Sequence, residues 1–347
     1  MRAAFRGLFV AVIGVALGLT GLAGPASATL TVFSTVQDAA LSIDGGTDVE
    51  AVNALQSDTP AGATILAAYL YVADVFGGGV AGDVTLNGSF LPVASGTLLA
   101  PNANPANTRR FDVTANVAAA IPADGGLWTH TYTESGFTDG AVLVVVWQNA
   151  STVGGTAVIM DGELALAGDS TIVPFSAPYA GGNFLMSLAS SFSFGDGQFT
   201  TVDVTTSSTA IRRLTNCAGG NNDGNFVSAN GALMTVGGIG DSPTNPGPTC
   251  NGAAVDDELY ELALGDDVSN ILFIQPGDTF IRFDTRNPSN DDNVFAFFFT
   301  SSFRVEPPCP PEECPPPGPK VPEPASLVLL GAGLAGLGIY LRRGRRR

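Results

Sequence analysis

Val142-Leu143-Val144-Val145-Val146-Trp147 and Phe295-Ala296-Phe297-Phe298-Phe299 are apolar at every position. Runs this short and this rich in β-branched or aromatic residues read as strands, and a strand without polar alternation has water on neither face. Both are therefore expected in central strands, with protein above and below. Other segments alternate instead. Phe280, Arg282 and Asp284 fall on one face of a strand and Ile281 and Phe283 on the other, as in a sheet with one wet side. Strand-like stretches recur at Leu30–Val36, Ile65–Val75, Val84–Phe90, Arg110–Val117, Leu127–Thr133, Ala141–Gln148 and Thr156–Leu166. They continue at Phe184–Phe194, Phe199–Thr205, Leu259–Leu264, Ile271–Ile274, Thr279–Asp284 and Val294–Phe303. No long amphipathic pattern carries helix caps at both ends, and Asp48–Leu55 offers a turn or two of helix at most, which argues against parallel βαβ units. No fixed-period repeat suggests a propeller or solenoid. The expected class is all-β: an antiparallel β-sandwich, jelly-roll-like or of two stacked units. An N-terminal signal helix and a C-terminal transmembrane helix flank it.

The two ends differ in kind from the middle. Residues 1–28 have Arg2 and Arg6, an apolar stretch from Leu8 to about Leu22, and Ala26-Ser27-Ala28. That order is the pattern of a secretory signal, so cleavage is expected after Ala28 with Thr29 as the new first residue. At the other end Val321-Pro322-Glu323-Pro324 precedes an apolar run from Leu327 to Leu341 and the basic cluster Arg342, Arg343, Arg345, Arg346 and Arg347. As a helix the apolar run spans roughly 22 Å, a short anchor for a hydrocarbon core of about 30 Å. The arginines favour the cytoplasmic side, which leaves the preceding chain outside. Gly331-Ala332-Gly333-Leu334-Ala335-Gly336 matches a dinucleotide fingerprint only in letters, since no βαβ unit surrounds it.

This tail resembles the PEP-CTERM protein-sorting signal of Gram-negative bacteria, in which a Pro-Glu-Pro motif, a hydrophobic segment and a basic cluster follow one another at the C-terminus. The resemblance covers residues 321–347 and implies recognition and cleavage by an exosortase, a transpeptidase-like membrane enzyme. It further implies an inner-membrane-anchored precursor whose body reaches the cell surface or the extracellular matrix, in association with exopolysaccharide. Between the ends, the body is expected over residues 29–305, as one β domain or two, and a proline-dominated linker over 306–320.

Residues 29–320 hold 31 carboxylates against eight basic side chains, a net charge of about −23. Such a body repels nucleic acid and anionic lipid. Four cysteines, Cys217, Cys250, Cys309 and Cys314, suit an oxidising compartment, and pairing each with its nearer partner gives two local bridges among three possible connectivities. A single histidine and the absence of paired C-x-x-C knuckles argue against zinc.

Chemistry-bearing residues are sparse. His130 lies in Trp128-Thr129-His130-Thr131-Tyr132, where strand alternation puts Trp128, His130 and Tyr132 on one face, and it reads as structural rather than as a catalytic base. Acidic groups at Asp256-Asp257-Glu258 with Glu261, at Asp266-Asp267 and at Asp291-Asp292 are the places to look for a carboxylate pair of a glycoside hydrolase. Two loops concentrate hard oxygen ligands on turn-prone backbone. One holds Asn221, Asp223 and Asn225, the other Asn290, Asp291 and Asp292; calcium is the cofactor that such ligands would hold, against ordinary turn chemistry. Trp128, Tyr132 and Tyr179 are conceivable carbohydrate platforms. The leading expectation is a non-enzymatic exported protein with an exosortase as its processing partner. A calcium-dependent or carbohydrate-binding module and a secreted hydrolase are the alternatives.

Overall fold

In a computed structural model, the residues that can be described are 30–47, 52–73, 82–99, 108–135, 138–165, 167–191, 199–219, 234–243, 245–248, 258–266, 268–287 and 293–314. The chain starts with β1 (Thr31–Gln37), β2 (Ala40–Thr47), β3 (Val52–Thr59), β4 (Thr64–Ala73), β5 (Val84–Leu86), β6 (Ser89–Leu91), β7 (Thr97–Leu98) and β8 (Arg109–Asp112). A short helix α1 (Thr114–Ala120) then leads to β9 (Gly126–Glu134), β10 (Gly140–Gln148), β11 (Thr156–Asp161), β12 (Ser170–Pro174), β13 (Phe184–Ser191), β14 (Thr200–Thr206) and β15 (Arg212–Ala218). The last four strands are β16 (Met234–Val236), β17 (Leu259–Glu261), β18 (Phe280–Arg286) and β19 (Asn293–Ser301).

These strands form four sheets, with order β3-β9-β5-β6, β2-β10-β4-β8-β7, β1-β11-β19-β13-β16 and β12-β18-β14-β15; β17 adds to β13 in the third. Every pairing between named strands is antiparallel. Three hydrophobic cores lie between consecutive sheets, so the sheets stack as four layers. Leu55, Leu86 and Tyr132 meet Leu70, Leu143 and Val145 in the first core. Tyr71, Val142 and Val144 meet Ile159, Val236 and Phe298 in the second. Met186, Phe297 and Phe299 meet Val202, Ile281 and Phe283 in the third.

The two fully apolar runs sit where their sequence requires. Along β10, Val142, Val144 and Val146 enter the middle core while Ala141, Leu143 and Val145 enter the first. Along β19, Phe298 points into the middle core and Phe297 and Phe299 into the third. Each of these buried large side chains contributes about 1.5–3 kcal/mol. The first two sheets draw on β2 to β10 alone. The other two need β11 to β19 together with β1, which crosses to pair with β11.

One buried ion pair crosses the middle core. Asp161 on β11 accepts a hydrogen bond from the Tyr71 hydroxyl at 2.8 Å and pairs with the Arg110 guanidinium from β8, whose flat face lies 3.3 Å from the centre of the Phe33 ring. Tyr71 also packs on Phe295 and Phe298 with ring centres 5.9 Å away. Burial and the adjacent Asp161 carboxylate hold the Tyr71 hydroxyl well above its ordinary pKa.

Several sequence expectations are corrected. Val52–Thr59 is a strand and not the second half of a helical turn, because its register with β9 buries Leu55 and Ser57. Arg110–Val117 is strand only as far as Asp112, whose carboxylate accepts hydrogen bonds from the amide and hydroxyl of Thr114 and so turns the chain into α1. Val84–Phe90 is a hairpin: Asn87 and Gly88 both have positive φ, 50° and 76°, as a two-residue hairpin loop requires. Ile271–Ile274 joins no sheet; Phe273 and Ile274 instead donate their amides to Leu264 and Leu262.

The proline-rich linker starts later than composition suggests. Val305 and Cys309 bridge to Phe175 and Ile172 beside β12, and Cys309 and Ile172 exchange two backbone hydrogen bonds of 2.9 Å. Cys309 and Cys314 are joined by a disulfide with their Cα atoms 5.4 Å apart. The segment from Glu306 to Cys314 is therefore part of the folded body. Among the described residues no helix is long and apolar enough to cross a membrane; the expected signal at 1–28 and the Leu327–Leu341 run lie outside them.

Candidate functional site

Among the described residues, the cluster with the outline of a nucleophilic site forms around His130 on β9. The ring is fully buried, with Nε2 2.9 Å from Ser57 Oγ on β3 and Nδ1 2.9 Å from Asn87 Nδ2. The Asn-Gly hairpin puts Asn87 there, and its side chain also donates to Asn116 Oδ1 on α1 at 2.8 Å. Asn116 is fixed in turn, because its Nδ2 donates to the Leu86 carbonyl at 2.8 Å.

This chain of donors decides where the histidine proton sits. The Leu86 carbonyl can only accept, so Asn116 presents Oδ1 to Asn87, and Asn87 presents its two N–H groups to Asn116 and to His130 Nδ1. Nδ1 is thus the acceptor and Nε2 carries the proton, which it donates to Ser57. A general base needs the reverse, an unprotonated nitrogen facing the hydroxyl. The cluster ties β3, the β5–β6 turn, β9 and α1 together; in this tautomer it does not activate a serine.

Burial also holds His130 neutral, pushing its pKa down to about 4. Asp44 on β2 is pushed the other way, up to about 7, by burial and by the charge of Asp241, against a hydrogen bond from the Gln56 amide. The two groups give opposite pH dependences. Between about pH 6.5 and 4 the unfolded chain protonates His130 and the folded chain does not, so stability falls as pH falls. Between about pH 4 and 7 folded Asp44 keeps a proton that the unfolded chain releases, so stability falls as pH rises. Asp44→Asn is expected to stabilise the protein at pH 8 by on the order of 2 kcal/mol and to leave the acid arm of His130 in place. Denaturant unfolding at a series of pH values reads both slopes, and an Asp44→Asn curve parallel to the parent's throughout would refute the assignment.

The acidic candidates that can be described are occupied by backbone. Glu258 accepts from the Gly219 amide, and Glu261 accepts from Phe184 and Ala263 at 2.9 and 3.1 Å. Asp266 pairs with Arg212 at 2.7 Å, and the Arg212 guanidinium stacks 4.1 Å from the Phe273 ring centre. Asp256, Asp257, Asp267, Asp291 and Asp292 lie outside the described residues. So do the calcium candidates Asn221, Asp223, Asn225 and Asn290, and Cys250. Cys217 is disulfide-bonded. Tyr132 and Tyr179 are buried and Trp128 alone is 38% exposed, so these three aromatics do not form the stacking platform considered for a carbohydrate.

The sorting motif Val321–Pro324 and the basic cluster Arg342–Arg347 lie beyond the last described residue, Cys314. A family model of the PEP-CTERM protein-sorting motif matches residues 320–347. No curated protein matches the chain. The crystal structure of the major capsid protein P2 from Bacteriophage PM2 aligns over 75% of this chain and 97% of that one. Its identity of 10% and TM-score of 0.18 carry no argument about fold or function. The motif implies export, recognition by an exosortase and processing at the membrane. Residues 320–347 thus carry a PEP-CTERM protein-sorting motif, and that match does not extend into the four-layer body.

Proposed function

We propose that the protein is a non-enzymatic component of the cell surface or extracellular matrix, sorted and cleaved as an exosortase substrate and resident in an exopolysaccharide-rich layer. The sorting motif at residues 320–347 carries this reading. The body is in keeping with it: its one serine–histidine contact is poised with the proton on the wrong nitrogen, and the acidic candidates Glu258 and Glu261 accept hydrogen bonds from backbone amides. A net charge of about −23 over residues 29–320 favours solubility in a hydrated matrix.

Mass spectrometry of the protein recovered from its native host tests the reading at both ends. The expected species begins at Thr29 and has lost the apolar segment and arginines beyond Pro324. A surface-located chain that still ends at Arg347 would refute exosortase processing.

A further inference from the structure

Most edges of the four sheets are blocked. On β3 the outward amides of Gln56 and Asp58 are taken by Asp44 Oδ2 and Ser42 Oγ of β2. On β2 the Leu41 amide donates to Thr300 Oγ1, and the Ile43 carbonyl accepts from the Ile239 amide. Cys309 lies along β12 and Gly247 along β15. β6, β7, β16 and β17 are at most three residues long. A long edge left open is a template for another strand, and covers or short edges are the usual protection.

Among the described residues β1 is the long edge without a cover. Its seven residues, Thr31–Gln37, include no charge and no proline. Asp38 donates its amide to the carbonyl of Gly155, just before β11. Amides alternate in direction along a strand, so Val36 also faces β11, while Thr35 and Gln37 turn their N–H and C=O groups away from the sheet. Among the described residues none hydrogen-bonds these four groups. Every residue of β1 keeps some contact with water, whereas the neighbouring β11 is buried throughout. A bulge between Val32 and Ser34 bends the first half and leaves Ser34–Gln37 as the straight stretch.

We propose that this edge is the contact between two copies of the chain, β1 of one pairing antiparallel with β1 of the other. With a two-fold axis beside Val36, Thr35 of one copy lies opposite Gln37 of the second, and their outward groups form the ladder between the copies. Charge selects the occupant. A body that carries about −23 over residues 29–320 repels its own copies, so they meet where the edge itself is neutral. The acids that flank β1 are already engaged: Asp161, opposite Thr31, pairs with Arg110, and Asp38, after Gln37, pairs with Arg304. Asp169, further along at Leu30, is turned onto the Leu30 and Ala165 amides. The inference makes no use of the sorting tail.

The test is sedimentation equilibrium of the protein recovered from its native host over a range of concentrations, with hydrogen exchange resolved to single amides on the same samples. The mass is expected to double as concentration rises. Exchange at the Thr35 and Gln37 amides should slow about tenfold once the free protomer reaches about ten times the dissociation constant, while Val36 stays protected throughout. Thr35→Pro removes an outward N–H and keeps the ladder to β11, because an edge strand tolerates proline where the N–H faces away from the sheet. It should fold and remain a monomer. Thr35→Val, which gives up only a buried hydroxyl without a partner, should dimerise as the parent does. A parent that is monomeric at every concentration overturns the proposal, as does a folded Thr35→Pro variant that still dimerises. If that variant folds poorly the exchange reading decides alone, since a dimer whose Thr35 and Gln37 amides exchange as fast as the monomer's is joined elsewhere.

Discussion

Replacing Pro322-Glu323-Pro324 with three alanines is expected to leave the protein as an uncleaved membrane form in a host that carries an exosortase, while the parent loses its tail. The substitution leaves the Leu327–Leu341 run and its five arginines unchanged, so hydrophobic insertion and the positive flank still deliver the precursor and hold it. What it removes is a rigid proline-flanked carboxylate directly outside the apolar segment, the element that a processing enzyme can read in extended form. The expected effect is close to all-or-none, and fractionation followed by intact-mass measurement reads it. The anchoring arm has its own control: neutralising the arginines while keeping the motif should disturb topology before it disturbs recognition. Equal processing of the alanine variant and the parent would reduce the motif to a proline-rich approach to an ordinary anchor.

Asp161→Ala is expected to destabilise the body by about 3–5 kcal/mol, a large part of the 5–15 kcal/mol typical of a whole domain. The loss comes from what remains. Without Asp161 the Arg110 guanidinium, 14% exposed, keeps its charge and loses its counter-ion, and the buried Tyr71 hydroxyl loses its acceptor. Asp161→Asn should cost less, since the amide oxygen can still accept from Tyr71. The double variant Arg110→Met/Asp161→Leu should recover most of the loss, because removing both charges also removes their desolvation. Guanidinium unfolding monitored by tryptophan fluorescence separates these cases. An Asp161→Ala midpoint equal to the parent's would show that the pair is solvated and contributes nothing.

Much of the layer structure was legible because burial on two faces leaves an unmistakable trace. Val142–Trp147 and Phe295–Phe299 lack polar alternation, and β10 and β19 do occupy the interiors of the two inner sheets. The strands that escaped notice are those whose composition speaks for turns. Asp44-Gly45-Gly46 closes β2 as a fully paired strand against Leu143, Val142 and Ala141, since only the strong neighbour β10 decides its conformation. Ser170–Pro174 and Arg212–Ala218 likewise depend on β18 and β14. The histidine cluster was half visible. Strand alternation foretold that His130 would share a face with the buried Tyr132, but its partners Ser57, Asn87 and Asn116 come from a neighbouring strand, a hairpin turn and a helix. The one local cue was the Asn87-Gly88 pair, which announces a hairpin without saying what the asparagine side chain will touch.

The position of β19 has a consequence for how the body can assemble while it is being exported. Among the described residues β19 is the last strand made, yet it sits between β11 and β13, and its loss would split that sheet down the middle. The layers built from β2 to β10 can close as soon as Gln148 has crossed the membrane. β1 meanwhile has emerged first and has to wait for a partner more than a hundred residues behind it. Pairings so distant along the chain form slowly, and an unpaired sheet edge invites the wrong neighbour during the delay. The second half of the molecule thus becomes complete only once Ser301 is outside. A chain arrested before β19 would keep its largest core open to water.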